Sequence, residues 1–174
     1  MEPQPPLSPT IAVRAAEAAD LPAIAAIYND FVLNSTATFD TKPWTGETQG
    51  RWLREHGHPY AVLVAVHGDE IVGWASLSPY RAKPAYRFTA EDSVYVRAGL
   101  EGDGIGAQLF ARLLEVAAEN GFRTVIARIA GENPASVRLH RRFGFRRVGV
   151  EREVGYKLAR WLDVLVMQKM LAEP

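Results

Sequence analysis

The fold is decided by one stretch, Ser93-Val-Tyr-Val-Arg-Ala-Gly-Leu-Glu-Gly-Asp-Gly-Ile-Gly-Ala-Gln-Leu-Phe-Ala-Arg-Leu-Leu-Glu-Val-Ala-Ala-Glu-Asn-Gly121. The β-branched and aromatic residues at 94–96 predict a strand. A glycine-rich loop follows, and then a run of good helix formers that ends at Asn120-Gly121. Apolar residues recur every three or four positions from Ile105 to Val116, so we expect one side of this helix to pack on a sheet.

The glycine loop before this helix predicts a site for an anion. Backbone without Cβ atoms can approach a ligand closely, and the first N–H groups of a helix have no intrahelical partner. Phosphate is therefore the expected ligand. A P-loop is excluded because Gly106-Ala107-Gln108 supplies neither the lysine nor the hydroxyl. The relaxed dinucleotide pattern Gly102-x-Gly104-x-x-Ala107 is present, but it belongs to folds with more βα repeats than the remaining chain can supply. A tight turn without a ligand stays open.

Length and composition predict one globular domain with a sizeable core, since the chain has 174 residues and 48% hydrophobic content. The formal net charge is zero, with 20 basic and 20 acidic residues, which argues against a nucleic-acid partner. The lack of cysteine excludes thiolate metal sites and a cysteinyl intermediate, and it suits a reducing compartment. No apolar run has the length of a membrane span or the form of a signal peptide. We therefore predict a soluble, cytoplasmic protein with no metal and no membrane contact.

The order of patterns along the chain predicts a mixed α/β (α+β) fold. Residues 1–9 hold four prolines and no periodic apolar face, so we expect a flexible N-terminal tail followed by one domain over residues 10–172. Asp20 is the expected N-cap of a first helix. Runs rich in β-branched residues on both sides of Gly68-Asp69 predict a hairpin. Later strands are expected at 124–129, 146–153 and 161–170, and the helices are expected on both faces of the sheet.

Three segments carry residues that allow two interpretations. Phe39 is a large aromatic residue in a polar loop and either plugs the core or lines a pocket. The linker from Tyr80 to Phe88 concentrates basic and aromatic residues, and it is either an ordinary solvated loop or a lip that recognises an anionic group. The apolar strand that begins at Trp161 is equally compatible with a core and with an interface.

A second diagnostic segment is Asn133-Pro-Ala-Ser-Val-Arg-Leu-His-Arg-Arg-Phe-Gly-Phe145. Together with Gly104-Ile-Gly106 it resembles the motifs of the GNAT superfamily of N-acetyltransferases, and the chain from Ile11 to Leu171 resembles the phosphinothricin acetyltransferase group. The resemblance implies a single-domain, mixed but mostly antiparallel sheet, acetyl-CoA as cosubstrate and a homodimer. It also implies transfer of the acetyl group to the primary amine of a small amino-acid analogue such as phosphinothricin, methionine sulfoximine or methionine sulfone.

The same resemblance implies roles for single residues. Glu91 matches the proposed base that deprotonates the amine directly or through water, with Asp92 as its substitute, and His140 is suited to protonate or hydrogen-bond the departing thiolate. Binding of acetyl-CoA is implied for Val94, Tyr95, Val96, Gly102, Asp103, Gly104, Ile105, Gly106, Ala107, Asn133, Ser136 and His140. Binding of the amine substrate is implied for Phe39, Arg81, Lys83, Tyr86 and Tyr156.

Glu101 departs from the family's pattern, because glutamine or arginine usually stands at this position. With Asp103 it places two carboxylates beside the expected pyrophosphate, and each opposes a phosphate charge by about 1 kcal/mol at 4 Å in water-like surroundings. The helix N-terminus offsets this with about half a positive charge, so we expect weakened rather than lost cosubstrate binding. Two other functions stay open: a GNAT enzyme for another amine, such as a protein N-terminus or a polyamine, and a non-catalytic acyl-CoA-binding module.

Overall fold

The computed structural model describes residues 10–171, so the tail predicted for residues 1–9 lies outside the described residues. The strands are Ile11–Ala15 (β1), Val62–His67 (β2), Glu70–Pro79 (β3), Thr89–Val96 (β4), Thr124–Ala130 (β5), Arg146–Lys157 (β6) and Arg160–Met170 (β7). The α-helices are Leu21–Asn34 (α1), Gly46–Glu55 (α2), Ile105–Glu119 (α3) and Pro134–Arg142 (α4). The stretch from β4 through the glycine loop to α3 forms as its sequence predicts.

The seven strands form one sheet in the order β1-β2-β3-β4-β5-β7-β6. Every neighbouring pair is antiparallel except β4 and β5, which are parallel. This parallel ladder joins residues 89–91 to residues 124–126, and within the described range no ladder joins the rest of the two strands. The sheet therefore opens into a cleft at its centre. The expected mixed, mostly antiparallel sheet is confirmed.

Helices cover both faces of the sheet, and the alternation of apolar residues along β2 shows how the two cores divide. Val62 and Val64 pack with α1, whereas Leu63 and Ala65 pack with α3 on the opposite face. Successive side chains of a strand point to opposite faces, so a strand buried on both sides reads as a continuous apolar run. The prediction of helices on both faces is confirmed.

Asp20 is the N-cap residue of α1, as predicted, but its carboxylate is engaged elsewhere. Its carboxylate makes two bonds to the Arg14 guanidinium, at 2.6 and 2.9 Å, and accepts the Glu17 N–H at 2.8 Å. It makes no side-chain cap bond to α1 within the described chain. The bidentate pair with the arginine on β1 and the bond from Glu17 hold this carboxylate instead.

Strand β6 is longer than its sequence suggests. The apolar pattern predicts an end near residue 153, but the strand continues to Lys157. The pairing with β7 shifts between Glu151 and Gly155, and Glu153 in this interval has a φ of 49°. A bulge of this kind absorbs extra residues and lets the ladder resume, which the alternation of polar and apolar residues does not reveal.

Candidate active site

A groove of about 1010 Å³ opens where β4 and β5 separate. The ends of both strands, the glycine loop, the first turn of α3, α4 and the loop after α1 form its walls. Of the residues predicted to bind acetyl-CoA, those that line the groove are Val94, Tyr95, Val96, Gly102, Gly104, Gly106, Ala107, Asn133, Ser136 and His140. Asp103 and Ile105 lie outside this lining: Asp103 is exposed in the loop, and Ile105 is buried in the core. The structure thus brings two sequence-distant segments to one groove.

Strand β4 presents a carboxylate to each face of the sheet. Glu91, like Tyr95, points to the face covered by α1, where the Tyr95 ring packs 5.2 Å from Tyr28. Asp92 points to the opposite face, where α4 lies. The alternation of a strand therefore separates the two acids, although they are neighbours in sequence.

The glycine loop leaves the start of α3 accessible. Gly104 is the N-cap of α3 with a φ of 79°, a left-handed conformation that suits glycine, and no side chain of the described residues caps this helix end. The first N–H groups of α3 therefore lie at the groove with the positive end of the helix dipole. These features fit the pyrophosphate of a coenzyme A thioester.

Charged residues surround this loop. The Glu101 carboxylate lines the groove and accepts the N–H of Gly99 at 2.8 Å, so its negative charge is held at the mouth. Arg138 and Arg142 of α4 line the same groove and provide positive charge. Arg97, which follows β4, instead pairs with Glu70 at 2.8 Å.

His140 is buried, at 3% exposure, and both of its ring nitrogens are engaged. Its Nδ1 lies 2.7 Å from the Ser136 carbonyl oxygen, and its Nε2 lies 2.9 Å from Asp92 Oδ2. Because a carbonyl only accepts, Nδ1 carries a proton, and a second proton lies between Nε2 and Asp92. Burial alone would lower the pKa of His140, but the hydrogen bond and charge of Asp92 raise that pKa above its ordinary value.

The proton of this pair is shielded from solvent. The imidazole packs between Phe110 and Phe145, with ring centroids 4.8 and 5.0 Å away. The Ser136 hydroxyl lies 3.3 Å from Nδ1 and provides a polar route to the groove. Asp92 Oδ1 is buried and has no hydrogen-bond partner among residues 10–171. Asp92 therefore holds His140 here, a contact that the sequence did not reveal.

Glu91 is half-buried and lines the groove on the face of α1. Burial raises the pKa of its carboxyl, and the positive charge of Arg128 partly offsets this rise. A carboxylate with a raised pKa is a better proton acceptor near neutral pH than an exposed one. Arg128 lines the same groove and donates from Nη2 to the Glu151 carboxylate.

Phe39 lines the groove from the loop after α1. Its ring lies directly over Gly155 of β6, where an added Cβ would come within 2.4 Å of the ring. Lys157 anchors the same loop, because its Nζ donates to the Thr38 carbonyl at 2.8 Å and to the Phe31 carbonyl at 3.4 Å. The position of this aromatic wall therefore depends on β6.

The other residues predicted to bind the amine lie outside the lining of this groove in the described chain: Arg81, Lys83, Tyr86 and Tyr156. The Arg81 guanidinium stacks over Tyr80, 5.0 Å from the ring centroid, and its charge reaches Glu91. Tyr156 pairs with Trp161 on the exposed side of the β6–β7 hairpin, with ring centroids 5.1 Å apart. The substrate roles of these four residues stay predictions.

Arg128 is a groove residue that our reading of the sequence missed. A signal was present, since it is the single charged residue in the otherwise buried strand Thr124–Ala130. A charge in such a strand needs a partner or a cavity, and here it has both. The absence of any other charge in β5 marks the position as unusual.

The polar groups that line the groove suit phosphate and a thioester. They include hydroxyls and three guanidinium groups, beside the carboxylates of Glu91, Asp92 and Glu101. Among residues 10–171 no three histidine, aspartate or glutamate side chains are grouped closely enough to hold a metal ion. No helix in that range combines the length and apolar character needed to cross a membrane.

A sheet that opens between two parallel strands, with an uncapped helix N-terminus at the opening, provides a cleft suited to a ligand that carries phosphate. The sequence model of the Acetyltransferase (GNAT) family matches residues 24–145, and the chain belongs to this family. It is therefore an acetyl-CoA-dependent N-acetyltransferase.

Similarity to known proteins places the chain more narrowly within this family. The chain is 44% identical to phosphinothricin N-acetyltransferase of Streptomyces coelicolor over 92% of its own length and 96% of the relative. It is 41% identical to the L-methionine sulfoximine/L-methionine sulfone acetyltransferase of Pseudomonas paraeruginosa, over 90% of this chain and 92% of the relative. The crystal structure of a GNAT superfamily phosphinothricin acetyltransferase from Sinorhizobium meliloti in complex with AcCoA superposes with a TM-score of 0.89 at 39% identity, covering 94% of this chain and 89% of that one. The predicted phosphinothricin acetyltransferase-like membership is confirmed.

Proposed function

We propose that the protein transfers the acetyl group of acetyl-CoA directly to the primary amine of a small amino-acid-like substrate of the phosphinothricin, methionine sulfoximine or methionine sulfone type. The observation that carries this proposal is the half-buried Glu91 at the point where β4 and β5 separate, in the same groove as the glycine loop. The names of the relatives support the substrate class.

The groove offers places for the pyrophosphate and for the thioester end of acetyl-CoA, which supplies the activated acetyl group when bound. The N–H groups at the start of α3 suit the pyrophosphate, and Arg138 and Arg142 add positive charge. Beyond Glu91, β4 has no ladder to β5 in the described chain, so backbone N–H groups along residues 94–96 can stabilise charge that develops on the acetyl oxygen.

Glu91 is the proposed proton acceptor. An alkyl ammonium group has a pKa near 10, so only about one molecule in a thousand is a free amine at pH 7. The raised pKa of Glu91 brings its affinity for a proton closer to the working range. Glu91 takes the ammonium proton and releases it to solvent, and the amine then attacks the acetyl carbon. Glu91 next takes the second proton that the nitrogen loses as the C–S bond breaks, which leaves the amide and the coenzyme A thiolate.

His140 is the proposed source of the proton that the coenzyme A thiolate takes up. Asp92 favours the charged imidazolium, and the Ser136 hydroxyl lies between Nδ1 and the groove. We infer that the proton passes through this hydroxyl or that the ring leaves Asp92 as the thiolate forms. In either case Asp92 is a positioning residue.

The variant Glu91→Gln tests the proposed role of the base. It keeps the shape of the side chain but cannot accept the ammonium proton, so we expect kcat to fall by about 10²- to 10⁴-fold with little change in the KM for acetyl-CoA. Thiol release with methionine sulfone as acceptor measures both constants. Glu115→Gln on the outer surface of α3 is the control, and equal activities of the two variants would contradict the assignment.

We also propose that residues 10–172 form one N-acetyltransferase domain and that the protein works in the cytoplasm, where acetyl-CoA is available. We further propose that the chain forms a homodimer. The exposed pair Tyr156 and Trp161, at 59% and 62% exposure, supports an interface on the β6–β7 hairpin. Sedimentation of the purified protein should give twice the mass of the chain, and a monomer at micromolar concentration would contradict the dimer. Cell fractionation tests the location.

A further inference from the structure

Arg128 occupies an unusual place in the groove. It lies on β5 two residues beyond Ile126, which pairs with Glu91 in the short parallel ladder. Residues paired across strands share a face, and so do residues two apart on one strand, so Arg128 points to the same face as Glu91. The two Cα positions are offset by about 6.6 Å along the strands.

Glu151 lies on β6, which is separated from β5 by β7, and it points to the same face of the sheet. The register joins Ala130 of β5 to Val164 of β7, and Val164 in turn to Glu151 of β6. Arg128 and Ala130 are two apart, so Glu91, Arg128 and Glu151 all point to the face covered by α1. The hydrogen bond from Arg128 Nη2 to the Glu151 carboxylate confirms that these two side chains meet on this face.

The pair between Arg128 and Glu151 is suited to rearrangement. Their side chains are 33% and 36% exposed, and an ion pair of this exposure contributes little to stability. A guanidinium has five N–H donors in a planar fork, and the bond to Glu151 uses Nη2. The remaining donors can bind a second carboxylate without loss of Glu151.

We propose that Arg128 binds the carboxylate of the acceptor amino acid while Glu91 receives the proton of its amine. This proposal rests on the proposed function and deepens it. An α-amino acid carries its ammonium and carboxylate groups on one carbon, so a carboxylate and a guanidinium on the same face of the groove complement it. Glu151 is the positioning residue that holds the guanidinium toward the groove.

This assignment differs from the lip predicted from the sequence. Arg81 and Lys83 lie outside the groove lining in the described chain, whereas Arg128 lines it beside the proposed base. Arg128 also has the strongest electrostatic influence on Glu91, ahead of Arg81, which agrees with its position. The acceptor selected by this geometry is an α-amino acid with a free carboxylate.

The test compares methionine sulfone with its α-carboxamide as acceptors for the wild-type enzyme and for Arg128→Gln. The amines of the two acceptors differ in basicity, and this difference is the same for both enzymes. We therefore divide the kcat/KM for the acid by the kcat/KM for the amide and compare this ratio between the two enzymes, so that the difference in basicity cancels. We expect Arg128→Gln to lower the acid-to-amide ratio about 10- to 100-fold, through a higher KM for the acid, with the KM for acetyl-CoA unchanged.

Two further variants keep the test decisive. Arg152→Gln removes an arginine from another ion pair on β6, at 80% exposure and outside the groove lining, and it should keep the wild-type ratio. Arg128→Lys keeps the positive charge without the planar fork and should recover part of the preference even if the glutamine variant is less stable. An Arg128→Gln ratio within about twofold of that of Arg152→Gln would overturn the assignment and leave the proposed function standing.

Failure of the proposed function gives a different result. If wild-type enzyme acetylates neither acceptor, the proposed substrate class is refuted. The ratio of acid to amide affinity is then measured by calorimetry on the coenzyme A complexes of wild type, Arg128→Gln and Arg152→Gln. Loss of acid preference in the Arg128 variant supports the carboxylate site, and equal binding by all three proteins overturns it.

Discussion

The contact between Phe39 and Gly155 predicts that one methyl group on β6 disturbs the acceptor site. In the variant Gly155→Ala, the added Cβ would lie 2.4 Å from Cε2 and Cζ of Phe39 and 2.9 Å from Cε1. Ordinary contacts at such positions begin at 3.4 Å, so the ring has to move by about 1 Å or more. Displacement of a positioning wall by this distance can cost about 10²-fold in activity.

The variant is expected to fold, because overpacking at a half-exposed ring costs about 1–3 kcal/mol. We expect the KM for the amine to rise about 10- to 100-fold, while the KM for acetyl-CoA stays within about twofold, since the glycine loop is untouched. Steady-state thiol release with each substrate varied in turn measures both constants. Urea denaturation measures the change in the free energy of unfolding.

Gly149→Ala is the matched control, because it makes the same change on the same strand where an added Cβ meets nothing within 4 Å. It should leave both KM values unaltered. Phe39→Ala should reproduce the acceptor defect, and the double variant with Gly155→Ala should be no worse than the single ones, since both act through one ring. An unchanged amine KM in a folded Gly155→Ala protein would refute the proposed wall.

Two further predictions concern charges at the groove. Glu101→Gln keeps an acceptor for the Gly99 N–H but removes a negative charge near the expected pyrophosphate. The repulsion between two charges at 4 Å is about 1 kcal/mol in water-like surroundings, so the KM for acetyl-CoA should fall about fivefold. An unchanged KM would show that this carboxylate does not influence the phosphates. Asp92→Asn removes the charge that raises the pKa of His140. A histidine whose pKa is raised on folding stabilises the fold at a pH below the unfolded pKa of about 6.5, and this stabilisation disappears as the pH rises through the folded pKa. The free energy of unfolding that Asp92→Asn loses should therefore be largest near pH 6 and smaller in alkaline solution. Urea unfolding across pH checks this, and a loss independent of pH would contradict the ion pair.

The parts of the fold that depend on local sequence were predictable. The helix Ile105–Glu119 follows from helix formers, a glycine loop and the Asn120-Gly121 stop, all of which act over a few residues. The hairpin around Gly68-Asp69 follows from its turn residues in the same way. Long β6 was not predictable, because its bulge depends on pairing with β7.

The partners within the site depend on tertiary structure, and most were not predictable. Asp92 and His140 are 48 residues apart, and Arg128 and Glu151 are 23 apart, so no local pattern joins either pair. Strand alternation sends Glu91 and Asp92 to opposite faces, but only the ladders of β4 with β3 and β5 show which face each one meets. Motif resemblance located the groove, but it could not supply the contacts that this chain makes within it.

The central claim is acetyl transfer to a small amino-acid-like amine, and a panel of acceptors tests it most directly. Acetyl-CoA-dependent thiol release is measured with phosphinothricin, methionine sulfoximine, methionine sulfone, ordinary amino acids, spermidine and a peptide. We predict saturable turnover confined to the amino-acid analogues and closely similar amino acids. Preferred turnover of spermidine or the peptide, or no turnover with any amine while acetyl-CoA still stabilises the fold, would contradict the claim.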